Sequence, residues 1–203
     1  MKKYLILAAF AAVALGACTK VETTKETVDE PLTFGVYAGN AATKATYGDI
    51  TTDNLKTSAD GFGVFAYYTK EVDWATTDKP NFMYNQKVEY KTIGGTSVWT
   101  YEPIKYWPNE YGAEASSEAA DRLTFFAYAP YAAVTPSTGL VTGDATSGII
   151  GMSRNIATGD PLVMYEANLT PGSGVDLCWG VAAADFTSSV DGNNNNVDRK
   201  SVV

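Results

Sequence analysis

From Leu32 onward, apolar residues fall at every second position or in short unbroken runs, and no stretch keeps a helical period. In Leu32-Thr33-Phe34-Gly35-Val36-Tyr37-Ala38, the side chains of Leu32, Phe34 and Val36 share one face of an extended chain. Residues 61–69 are apolar on both faces, as a strand enclosed within a sandwich must be. Residues 82–90 alternate, which predicts Phe82, Tyr84, Val88 and Tyr90 on one face and Asn85, Lys87 and Glu89 on the other. Gly94-Gly95 is a hairpin signal that joins this strand to the next, over residues 96–101. Residues 123–129 form a second two-faced strand closed by Pro130, and residues 162–166 and 175–181 complete the set. Residues 113–120 could turn once or twice as a helix but read better as a surface loop. Short strands separated by Gly, Pro, Asn, Asp and Ser clusters predict an all-β fold, an antiparallel Greek-key β-sandwich.

The chain before Leu32 follows another pattern. Lys2 and Lys3 precede an apolar run over residues 4–15, the charged and hydrophobic regions of a secretory signal. The run falls well short of the roughly 20 residues that span a bilayer as a helix. It ends in Leu15-Gly16-Ala17-Cys18, which resembles the lipobox of bacterial lipoproteins, with Gly16 a mild departure from the commoner alanine or serine. Cleavage before Cys18 and lipid on its thiol are therefore expected; an ordinary signal with a chance cysteine is the alternative. Each buried methylene of an acyl chain such as palmitate contributes about 0.8 kcal/mol, so several chains hold a protein firmly to a membrane. Residues 18–30 are polar and charged without apolar period, a flexible tether. Residues 31–190 hold the predicted sandwich. At the other end, Asp191-Gly192 and four asparagines form a polar loop, so residues 191–203 are expected to be a linker or the start of a missing second domain.

Composition then removes several functions. Beyond the first 17 residues the chain keeps 186, enough for one domain with a substantial core. Without Lys2 and Lys3, 13 basic residues face 23 acidic ones, and the three arginines, Arg122, Arg154 and Arg199, are scattered. Phosphate contacts need clustered Lys and Arg, so nucleic acid is excluded as a partner. Histidine is absent, which rules out Ser-His-Asp and Cys-His catalysis and the common zinc sites. With Cys18 acylated, Cys178 has no disulfide partner and reads as a small hydrophobe in an apolar strand. An enzyme with paired carboxylates, Asp121 with Glu118 or Asp160, is the weakest reading, because no spacing selects a pair. No pattern selects a cofactor or a metal. Asn168-Leu169-Thr170 matches a glycosylation sequon, but a turn before Pro171 accounts for it.

In chain order, Gly61-Phe62-Gly63-Val64-Phe65-Ala66-Tyr67-Tyr68, Phe82-Met83-Tyr84-Asn85-Gln86-Lys87-Val88 and Trp99-Thr100-Tyr101-Glu102-Pro103-Ile104-Lys105-Tyr106-Trp107-Pro108 come first. Leu123-Thr124-Phe125-Phe126-Ala127-Tyr128-Ala129-Pro130-Tyr131, Asp160-Pro161-Leu162-Val163-Met164-Tyr165 and Val175-Asp176-Leu177 follow. Together these segments resemble the fimbrillin family, the pilin and pilus-tip proteins of type V pili and their surface lipoprotein relatives. The resemblance covers about residues 31 to 182 and implies the N-terminal of two transthyretin-like sandwich domains. It also implies a lipoprotein of the outer membrane surface. A protease there cuts after a basic residue, and the lipidated segment leaves with the first strand of the sandwich. A strand of another subunit fills the vacated groove, adding main-chain bonds and alternate side chains.

On that pattern Leu32, Phe34 and Val36 resemble the fillers of a removable strand, and Lys44-Ala45 matches the cleavage position, with lysine in place of the commoner arginine. An exposed loop lysine is the plain reading of the same residue. Tyr106 and Trp107 read as core rings, or alternatively as a platform on which a sugar stacks. The expected partners are other pilin subunits, the membrane through Cys18, and a host or microbial surface glycan or protein. The main alternative is a permanently anchored, glycan-binding adhesin lipoprotein. Export through the lipobox has a direct check: Cys18→Ser should leave an uncleaved precursor that takes up no alkyne-tagged fatty acid in metabolic labelling.

Overall fold

The computed structural model describes residues 31–36, 50–57, 60–70, 72–108, 121–134, 141–143, 148–170, 174–181 and 186–187. Cys18, Lys44, Ala45, Glu118 and the predicted signal and tether lie outside them. One helix, α1 (Thr52–Thr57), precedes β1 (Phe62–Lys70), β2 (Met83–Ile93), β3 (Thr96–Thr100) and β4 (Arg122–Ala129). After these come β5 (Val141–Thr142), β6 (Ile149–Met152), β7 (Val163–Tyr165), β8 (Cys178–Val181) and β9 (Phe186–Thr187).

β1 and β4 pair antiparallel through seven register positions, from Gly63 opposite Tyr128 to Lys70 opposite Arg122. Both are buried along nearly their whole length, which places them in the middle of the sheet order β3-β2-β1-β4-β8. β8 and β9 share the outer edge of β4, the first against residues 126–129 and the second against residues 122–123. A smaller antiparallel sheet, β5-β6-β7, lies over one face of β1 and β4. Phe65, Tyr67, Phe126 and Tyr128 pack there with Ile149 and Met152. The other face carries Phe62, Val64, Ala66, Leu123, Phe125, Ala127 and Ala129. Among the described residues it is covered without a second sheet, by residues 31–36, by Leu55 of α1 and by Tyr101 and Trp107. The fold is mostly antiparallel β-structure, consistent with a β-sandwich.

Several expectations meet the structure directly. Gly94 and Gly95 have φ of 58° and 86° and close a two-residue hairpin between Ile93 and Thr96, the geometry of a type I′ turn. The clean alternation predicted for residues 82–90 fails. Val64 pairs with Gln86 but Ala66 with Met83, so β2 carries one extra residue there, a β-bulge centred on Asn85 with φ of 45°. The bulge turns Met83 and Val88 to the same core while Tyr84 packs against the opposite one. Helix α1 was not expected either. Its six residues bury only Leu55, too little for a period to show, and Thr51 caps it by accepting the Asn54 N–H at 3.1 Å. β5, β6 and β9 are too short or too interrupted by Gly to announce themselves.

The bulge is locked by a buried polar cluster. The Tyr128 hydroxyl donates to Asn85 Oδ1 at 2.6 Å and accepts the Ala132 N–H at 3.2 Å, while Asn85 Nδ2 donates to the Ala132 carbonyl at 3.0 Å. Gly63 makes room for this ring: a Cβ there would lie 2.3 Å from Tyr128 Cε1. Burial pushes the Tyr128 phenol well above its ordinary pKa, so it remains a proton donor throughout the neutral range. Tyr128→Phe leaves Asn85 Oδ1 and the Ala132 N–H without their buried partner. It should cost about 1–3 kcal/mol of unfolding free energy in urea melts.

Candidate functional site

The feature with chemical consequence is the seat of residues 31–36. Pro31 bridges Tyr106, and the Leu32 N–H donates to the Lys105 carbonyl at 2.8 Å. Tyr101, only 6% exposed, donates its hydroxyl to the Leu32 carbonyl at 3.0 Å and accepts the Lys105 N–H at 3.2 Å. Desolvation raises the Tyr101 pKa, opposed by the Lys105 hydrogen bond, so the phenol keeps its proton. Leu32 is 1% exposed and Phe34 8%, both within the core, and Val36 packs against it. The expected alternation of Leu32, Phe34 and Val36 toward one core is therefore present. The segment is extended chain held by isolated bridging rather than a full strand, and residues 37–38 of the expected strand lie outside the described residues.

The energetics of this hold are uneven. Burying a Leu and a Phe side chain contributes about 1.5–3 kcal/mol each. A main-chain hydrogen bond contributes about 0.5–1.5 kcal/mol net. Side-chain burial dominates, and the hydrogen bonds fix position. The floor of the seat belongs to the central strands themselves, through Phe62 of β1 and Phe125 of β4. Without residues 31–36, apolar surface of the two most buried strands would meet water.

The other predicted residues fall as follows. Trp107 is 7% exposed, with its ring edge-on to Phe125 at 6.4 Å, and belongs to the core. Tyr106 stands 49% exposed beside Pro31. The two rings are not brought together on one open surface. Asp121 is buried and accepts the Tyr68 hydroxyl, whereas Asp160 is exposed and acts on Tyr67. Tyr67 and Tyr68 pack against opposite cores of β1, so the two carboxylates stand on opposite sides of the sheet. Among the described residues no group of three or more His, Cys, Asp or Glu could hold a metal ion. Cys178 is half-buried on β8 beside Ala129, and burial pushes its thiol pKa up.

Tyr101, Phe62 and Phe125 were missed as parts of a site. The signal for the first was in the chain: Tyr101-Glu102-Pro103 and Tyr128-Ala129-Pro130 are the same Tyr-x-Pro pattern. In both, the tyrosine hydroxyl accepts the N–H of the residue four further on. Asn81 was missed as well. Its side-chain amide makes two hydrogen bonds to the Tyr68 backbone, accepting from N–H at 2.8 Å and donating to C=O at 2.9 Å, as a neighbouring strand would.

A mostly antiparallel sandwich whose first segment fills an apolar seat is the architecture expected of a fimbrial subunit. The comparisons agree. The fimbrium subunit Fim1C of Phocaeicola vulgatus is 31% identical over 166 residues, covering 79% of this chain and 38% of that protein. The crystal structure of a fimbrial protein from Bacteroides vulgatus superposes with a TM-score of 0.58 at 26% identity, covering 83% of this chain and 43% of that one. No family model matches. This homology supports assignment of the chain to the fimbrillin family, and the chain spans about two fifths of the length of the relatives it matches.

Side-chain burial at the seat has a simple check. Phe34→Ala should lower the unfolding free energy by about 3–5 kcal/mol in urea melts, while Tyr106→Ala, at an exposed position, should change it by about 0.5 kcal/mol or less.

Proposed function

We propose that the protein is a surface subunit of a pilus, delivered as a lipoprotein through Cys18 and joined to its neighbours by strand replacement. Homology to fimbrial subunits supports the structural role. The observation that carries the mechanism is the seat of residues 31–36. Leu32 and Phe34 are core residues, yet among the described residues the segment is joined by isolated bridging and is a strand of neither sheet. Such a piece can leave without dismantling a strand ladder, and its departure opens an apolar groove lined by β1 and β4. A strand from another subunit would then bury the same surface.

On this reading residues 31–190 are an N-terminal domain with Greek-key, transthyretin-like connections. Residues 191–203 lead toward a further domain. Cutting after Lys44 frees the lipidated segment together with residues 31–36. Before the cut the chain is an outer-membrane lipoprotein, and after it a fimbrium component, of shaft or tip. Contact with a host or microbial surface would follow from that position.

N-terminal sequencing of chains from assembled surface fibres tests the proposal. Chains that begin at Ala45 support it. Chains that always begin at the acylated Cys18 overturn it and favour a permanently anchored adhesin.

A further inference from the structure

Phe34 is seated differently from a generic apolar filler. Its ring meets Phe62 at 6.3 Å and 85°, Phe125 at 6.0 Å and 81°, and Tyr101 at 5.3 Å and 63°. All three are edge-on approaches, in which the electropositive rim of one ring meets the electron-rich face of another. The walls come from β1, β4 and the turn after β3, so the fold builds the box independently of what fills it. They are also braced from behind. Trp99 packs on Phe62 at 5.2 Å, and Trp107 packs on Phe125 at 6.4 Å. Braced walls cannot close around a smaller or rounder side chain without disturbing the core.

The backbone beside the box is read separately. Tyr101 aims its proton at the Leu32 carbonyl, two residues before the ring. The hydroxyl is held on its other side by the Lys105 N–H, a partner that stays when residues 31–36 leave. An O–H donor directed at a main-chain carbonyl is blind to sequence but sensitive to register.

We infer that this seat selects its occupant: an extended peptide strand with an aliphatic side chain and, two residues on, an aromatic ring. The inference rests on the strand-replacement reading above and specifies the partner strand that reading leaves open. The aromatic box chooses the side chain. Tyr101 sets the register, and a slip of one residue turns the ring out of the box.

The test uses the full chain with residues 42–46 replaced by the recognition sequence of a site-specific protease, so that nicking does not depend on Lys44. Labelled peptides with the sequence of residues 32–38, differing only at the position of Phe34, are titrated against the nicked chain by fluorescence anisotropy. Phe and Tyr peptides are expected to bind, with Leu and Ala peptides weaker by about tenfold or more, the combined effect of three ring contacts. Tyr101→Phe should weaken every peptide by about threefold to tenfold and leave the Phe-to-Leu ratio unchanged. Equal binding of the Phe and Leu peptides overturns ring selection while strand replacement stands. A folded nicked chain that binds no peptide overturns both. If nicking unfolds the chain, the ranking is read in the intact protein by urea melts. Phe34→Tyr should then keep the folding constant within about twofold of the parent, and Phe34→Leu should lower it about tenfold or more. A leucine no worse than tyrosine overturns the box.

Discussion

Everything in the structure is arranged around the pairing of β1 with β4. Both strands present apolar side chains to both sides, so neither face of the pair can be left to water. One face is covered by a small antiparallel sheet, which satisfies its own backbone through its own ladder. Among the described residues the opposite face is covered piecemeal, by an extended segment, one turn-and-a-half of helix and the chain after β3. This asymmetry separates a side held by a strand ladder from one held by side-chain packing and isolated bridges. Covering by sheet is cooperative, since each strand holds the next. Covering by an extended segment depends on a few side chains, chiefly those of Leu32 and Phe34.

The two tyrosine turns sit on opposite sides of this pair and solve the same problem. Each ring lies in a core, and each hydroxyl accepts an N–H from four residues further on, which ties the turn to the strand it leaves. The remaining proton goes to a neighbour. Tyr128 spends it on Asn85, fixing the bulge of β2 for as long as the domain is folded. Tyr101 spends it on the backbone of residue 32, a group that belongs to the extended segment over the other face. One device thus serves a joint within the main sheet on one side and a joint to the extended segment on the other. The difference lies entirely in what receives the hydrogen bond.

Much of this was legible in the chain. The doubly apolar runs at residues 61–69 and 123–129 announced the two central strands, because only enclosed strands can dispense with a polar face. Gly94-Gly95 announced its hairpin through the positive φ that other residues resist. The alternation of Leu32, Phe34 and Val36 identified the cover, though not its lack of regular ladder. The bulge was hidden, because an inserted residue leaves the composition of a strand unchanged while inverting its faces beyond that point. Val163–Tyr165 lies within the strand expected over residues 162–166, whereas its partner Ile149–Met152, short and broken by Gly151, acquires its pairing from tertiary contact that no local pattern encodes. The aromatic box was equally hidden. Its walls lie far apart in sequence, and each ring alone reads as ordinary core.

The closeness of Gly63 to Tyr128 carries a consequence for how such a chain can diversify. The ring occupies the space where a side chain at position 63 would stand, and its hydroxyl is anchored at the far end by Asn85 and Ala132. A larger residue at 63 is therefore accessible only after the tyrosine has shrunk or lost its anchor. Those changes in turn release the bulge that orients half of β2. Positions 63, 85 and 128 form an inheritance block, free to drift together along a narrow path and nearly barred from drifting alone.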